Sequence, residues 1–316
     1  MSISRRSLLI TVTAGATAAL LTACGGDDDD SPHRNLVETA QADPQFSILV
    51  EALTAAKLTG TLSAAGPFTV FAPTNNAFAA LLTELGITKA ALLADTALLT
   101  AVLTYHVLAG KVEAAAVAKQ LGVAITTLQG GVFKIERGSG LTITDGRNRQ
   151  STITATDLQT TNGVIHVVDK VLLPANKTIV ETAQSISDFS ILVEAVVAAG
   201  LAPTLSGPGP FTVFAPTNAA FAAALTELGI SKAQLLASPQ LGDILKYHVL
   251  SGRVLKAGVP VATPITTVQG ATFTVDARLA ITDKLGRTAA ITSTDVFTSN
   301  GVIHVLDKVI LPTALA

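Results

Sequence analysis

Few side chains in this chain could do chemistry, and they recur in pairs. Tyr105, His106, His166 and Asp169 in the first half match Tyr247, His248, His304 and Asp307 in the second. Brought together, His106, His166 and Asp169 could ligate zinc, which takes nitrogen and oxygen donors at about 2.0–2.2 Å, or run a histidine-dependent hydrolysis. Their placement argues otherwise. His166 stands inside the apolar run Val164-Ile-His-Val-Val168, and an offset of three residues sends His166 and Asp169 to opposite faces of a regular strand. The chain holds no Gly-x-Ser-x-Gly elbow, no paired carboxylates and no Gly-rich phosphate cradle after a strand. The histidines therefore read as buried hydrogen-bonding groups, His106 and His248 tying a helix end to a sheet. No catalytic residue, metal ligand or cofactor is expected.

The elements that must position these residues are written twice. Phe68-Thr-Val-Phe-Ala-Pro-Thr-Asn75 returns as Phe211 to Asn218, Tyr105-His-Val-Leu108 as Tyr247 to Leu250, and Asn162-Gly-Val-Ile-His-Val-Val-Asp-Lys-Val171 as Asn300 to Val309. Solenoid units run about 20–50 residues, so this longer period means two complete domains, each large enough for its own core. Asp43-Pro44 offers an N-cap and a first-turn proline. Phe46, Leu49, Val50 and Leu53 then mark one face of a helix, matched by Phe189, Leu192, Val193 and Val196. Phe68 and Val70, like Phe211 and Val213, alternate as in a half-buried strand. Pro-Thr-Asn ends that strand and caps a helix anchored by Phe78 or Phe221. Thr88 and Ser231 cap a further helix, and Asp95 and Ser238 the one that ends at Tyr-His. The rest is β. Leu141 to Gly146 predicts a hairpin turning on Asp-Gly, with a loop two residues longer before Gly286 in the second copy. Asn162-Gly163 and Asn300-Gly301 read as turns in which Gly supplies positive φ. Helices early and strands late give an α+β fold.

Composition narrows the partners. The chain is 49% hydrophobic but only 4% aromatic, without Trp, so its cores must be aliphatic with a few Phe anchors. Net charge is −2, falling to −4 without Arg5 and Arg6, and no basic run is visible. Nucleic acid is therefore excluded as a partner, since its recognition begins with phosphate neutralisation. A single thiol, Cys24, rules out an internal disulfide framework.

The front end reads as an address and an anchor. Residues 1–23 combine Arg5-Arg6, an apolar stretch from Ser7 to Leu21, and small residues before Cys24, as in an export signal. The stretch is short for a membrane span, which needs about 20 residues. Leu21-Thr-Ala-Cys24 resembles the lipobox of bacterial lipoproteins, implying cleavage before Cys24 and its acylation. Several acyl chains would hold the protein to a membrane where one binds only marginally. Ser4-Arg-Arg-Ser-Leu-Leu9 resembles a twin-arginine export motif. Gly25 after the cysteine resembles the sorting pattern that favours an outer membrane. Residues 24–34, with Asp27 to Asp30, form an acidic, Gly-containing tether. Those four adjacent Asp lack the alternate ligand spacing of a calcium loop.

The three landmarks, in this order and at these spacings, resemble the fasciclin domain across residues 35–174 and 175–312. That resemblance implies an α+β fold in which two β-sheets form a wedge beside a helical layer. It also implies extracellular adhesion to surface proteins or polysaccharides, with Tyr105-His106 and Tyr247-His248 as the contact segment. The stretches Tyr105 to Lys111 and Tyr247 to Arg253, leaving a helix into a Gly turn, are the expected exposed surface. A His-dependent or metal-dependent envelope enzyme, or a purely structural envelope protein, are the alternatives.

Overall fold

The computed structural model describes residues 34–314. The expected signal peptide, the Arg5-Arg6 motif, the acylation site Cys24 and the acidic run therefore lie outside the described residues.

Each module sets a layer of helices against one seven-stranded sheet. In the first, helices Leu36–Ala42, Ser47–Ala55, Asn75–Leu85, Lys89–Ala94 and Thr96–Tyr105 accompany strands β1 (Phe68–Pro73), β2 (Val107–Ala109), β3 (Ile125–Thr126), β4 (Val132–Arg137), β5 (Leu141–Thr144), β6 (Gln150–Thr160) and β7 (Gly163–Val168). The second repeats the plan with β8 (Phe211–Pro216), β9 (Val249–Ser251), β10 (Ile265–Thr266), β11 (Thr272–Val275), β12 (Ala280–Thr282), β13 (Thr288–Thr298) and β14 (Gly301–Leu306). The first sheet runs β2-β1-β7-β6-β5-β4-β3, and the second β10-β11-β12-β13-β14-β8-β9, which is the same order reversed. Only β1 with β7 and β8 with β14 pair in parallel among these strands.

The long strand β6 slips register against β7 between Ile153 and Ala155 and again before Leu158. Extra residues of this kind bend a strand and raise its twist, and the sheet folds over into a wedge. Inside the wedge, Phe71 of β1 meets Phe133 of β4 edge to face at 5.2 Å, among Tyr105, Ile135, Ile143, Val168 and Leu172. Outside it, Val70, Ala72, Ile165 and Val167 pack under the helices. Both faces of β1 and β7 are thus covered, so β1 is not the half-buried strand its alternation predicts: five of its six residues are buried. The apolar, two-sided run of β7 follows for the same reason.

Most expected caps form. Asp43, Thr74, Thr88, Asp95, Thr217 and Ser231 each accept a main-chain N–H at a helix start. Ser238 does not cap its helix directly, because Leu241–Tyr247 begins after Gln240 and the Ser238 hydroxyl instead accepts from Gln240 N. The two hairpin loops are equal in length, contrary to expectation. Asp145 accepts from the N–H groups of Arg147 and Arg149, and Asp283 from those of Leu285 and Arg287. The left-handed position is Asn148 in one loop and Gly286 in the other. Gly146 is needed for another reason: a Cβ there would overlap the Ala175 main chain.

Candidate functional site

Each histidine ring is enclosed by main chain. His106 caps helix Thr96–Tyr105, where Nδ1 donates to the Val102 carbonyl at 2.7 Å and Nε2 accepts from Leu172 N at 2.8 Å. His248 does the same with the Ile244 carbonyl and Ile310 N. His166 accepts from Asp157 N at Nδ1 and donates from Nε2 to the Val112 carbonyl at 2.8 Å. His304 repeats that with Asp295 N and the Val254 carbonyl. All four are at most 2% exposed. Burial pushes His106 and His248 down to about 4, against the pull of the carbonyl each one bonds. His304 is lowered by burial too.

A ring that donates from one nitrogen and accepts at the other keeps no lone pair for a metal or a substrate proton. His106, His166 and Asp169 also have separate partners. The Asp169 carboxylate accepts from Thr152 N at 2.7 Å and from the Ser151 hydroxyl. Among the described residues, no group of three or more His, Cys, Asp or Glu is placed to hold a metal ion.

Tyr105 and Tyr247 are fully buried. Their hydroxyls donate to the carbonyls of Val132 and Thr272. Burial raises both above the ordinary phenol value, Tyr247 to about 12. The four expected contact side chains, Tyr105, His106, Tyr247 and His248, are therefore not presented to a partner on this surface. The stretches around them are largely covered as well: Val107 and Leu108 are buried in the sheet, and only Ala109 and Lys111 are exposed between Tyr105 and Lys111.

The other landmarks are staples. Asn162 accepts from Leu36 N and donates to the carbonyls of Leu62 and Ala64, and Asn300 repeats this with Ile179, Leu205 and Gly207. Asn75 and Asn218 tie the start of one helix to the start of an earlier one, accepting from Ile48 N and Ile191 N and donating to the carbonyls of Pro44 and Ser187 just before it. Gly163 and Gly301 do not take positive φ; a Cβ on either would overlap the carbonyl oxygen of Phe68 or Phe211 on the parallel neighbour.

What the sequence reading missed lies between the modules. Lys134 of β4 reaches Asp295 of β13 at 3.0 Å, both buried. Burial alone would lower the Lys134 ammonium, yet the carboxylates of Asp295 and Glu136 together hold it above its ordinary value. Asn148 donates to the Phe297 carbonyl and accepts from Phe297 N at 2.7 Å. Val132, Leu255, Phe297 and Val302 form a small apolar cluster there. One signal was readable: a lysine inside the apolar strand Val132-Phe-Lys-Ile135, where the twin has Thr274.

The pattern of the fasciclin domain matches residues 44–174 and 187–312. Protein sll1483 of Synechocystis sp. is 43% identical over 144 residues, which cover 44% of this chain and 73% of that protein. Transforming growth factor-beta-induced protein ig-h3 of Oryctolagus cuniculus is 30% identical over 260 residues, 81% of this chain but only 36% of that longer protein. A solved FAS1 domain pair from the insect cell adhesion molecule Fasciclin I aligns over 87% of this chain and 95% of its own, with 18% identity and a TM-score of 0.42.

Proposed function

The chain belongs to the fasciclin domain family, and on that premise we propose that it is a non-catalytic, lipid-anchored interaction protein of the bacterial envelope. It holds surface proteins or polysaccharides through two docked modules. One observation carries this reading: the polar residues that recur in both modules are committed to main-chain hydrogen bonds of their own fold. His106, His166, Asn162 and Asp169 each bind backbone groups. Recognition is then left to the outer faces and to the junction, where the two copies differ.

Attachment is through acylated Cys24 after export, by the Sec or the twin-arginine route, with the outer membrane as the favoured destination. No described helix is long and apolar enough to cross a membrane. Two sites carried on one tethered chain strengthen a weak attachment through effective concentration, provided both reach the same target.

The test is a binding screen of the full-length chain against envelope polysaccharides and matrix proteins. Binding to members of either class is expected. A chain that binds nothing, or that shows a saturable turnover abolished by changing His166, overturns the proposal. Metabolic labelling with palmitate is expected to mark the protein and to be lost in Cys24→Ser; an unlabelled parent removes the anchor.

A further inference from the structure

The docked modules leave between them an open cleft of about 500 Å³, lined by residues from the Asp145 loop, the connecting segment, helix Ile179–Gln184 and strand β13. That size lies within the range of about 300–1,000 Å³ usual for small-molecule sites. Its charges are of one sign. Arg147 and Lys177 line it, and no acidic side chain does. The Arg147 Nε is buried without a hydrogen-bond partner. Neither cation is in an ion pair among the described residues.

The loop itself does not require this cation. The same Asp-centred turn in the second module places Leu285 where the first has Arg147, and Leu285 stands 44% exposed. The turn does not use this guanidinium, its Nε has no acceptor in the protein, and no carboxylate among the lining residues offers one, which leaves the group open to an anion. Beside the cations lie the uncharged polar side chains of Asn176, Thr182 and Ser185, with apolar walls from Ile186 and Val296. The Ser185 hydroxyl donates to the Thr182 carbonyl and can still accept, and Ile186 and Val296 pack on the core of the second module while facing the cleft. A sugar ring offers both hydroxyls and an apolar carbon skeleton.

We propose that this cleft binds a carboxylate-bearing saccharide, Arg147 and Lys177 taking the carboxylate and Asn176, Thr182 and Ser185 the ring hydroxyls. The proposal rests on the reading of the chain as an envelope interaction protein, and names one ligand class for it. The cleft exists only where the modules meet, so a single module would lack it.

Calorimetric titration of the full-length chain with galacturonic acid trisaccharide tests it, alongside the same trisaccharide with its carboxyls reduced. Binding of the acidic sugar alone is expected, weakened about tenfold or more in Arg147→Gln, as for a lost charge-assisted hydrogen bond. Lys177→Gln is expected to weaken it as well; that residue is exposed, so it keeps the test open if Arg147→Gln lowers the melting temperature. Equal binding of the neutral sugar, or undiminished binding in both variants, overturns the site. A chain that binds other surface ligands but ignores galacturonate loses this site and keeps the interaction role, whereas a chain that binds nothing loses both.

Discussion

At His106 the ring must donate to the Val102 carbonyl and accept from Leu172 N at once. Only the neutral form can do both; a second proton would set two N–H groups against each other. The consequence is a pH dependence with a definite sign. Burial holds His106 and His248 down to about 4, against about 6.5 for an unfolded chain. Between those values the unfolded chain binds protons that the fold refuses, so this stability is full above pH ~6.5 and declines as pH falls toward 4. The loss amounts to about 2–3 kcal/mol per ring. Urea midpoints measured from pH 7 down to 4.5 should fall accordingly, and a variant with both rings changed to Gln should fall less steeply. A parent whose midpoint stays flat across that window would show rings that titrate as in water. His106→Ala at pH 7 should cost about 1–3 kcal/mol, because Leu172 N is left buried without an acceptor.

Elements are joined in this fold by side chains that reach main chain across long stretches of sequence. The parallel pair β1–β7 starts at Phe68 opposite Gly163, and Asn162 just before it gathers the first helix and the Leu62 to Ala64 turn. An added methyl at Gly163 meets the Phe68 carbonyl oxygen, which is main chain and cannot swing aside. Gly163→Ala should therefore destabilise by more than about 2 kcal/mol, a size reserved for disrupted cores and strained backbone. Gly138→Ala, where a Cβ has open space, is the control expected to change little. Thermal melts of both variants decide; equal midpoints would mean the two strands can part at low cost. The bulged strand β6 explains why helical and strand periodicity alone described a half-buried β1: the fold-over covers its second face.

The two modules are held at their junction by the buried Lys134–Asp295 pair and the reciprocal bonds of Asn148 and Phe297. Removing one member of a buried pair costs more than the pair contributes, because the other charge stays desolvated; the usual figure is about 3–5 kcal/mol. Lys134→Ala should loosen the junction at that cost, and the calorimetric unfolding should separate into two transitions. A single transition at the parental temperature would show that the pair does not join the modules. Added salt should matter little to the parent junction, since buried pairs are screened far less than exposed ones.

Much of this molecule was legible in its residues. The doubled landmarks required two domains, and local rules of period and capping placed most helices and strands, because each acts within a few residues of its own position. The hairpin shows where that stops. Asp145-Gly146 looked like a two-residue turn, but the Asp carboxylate bridges a longer loop and the Gly makes room for Ala175. Apolar surroundings already marked the four histidines as buried hydrogen-bonding groups, but which main-chain groups each ring meets was decided by tertiary packing. Asn148 and Phe297 lie 149 residues apart, and Lys134 and Asp295 lie 161. No local pattern carries such pairings. Only the docking of one module on the other decides them, and with them the cleft at Arg147.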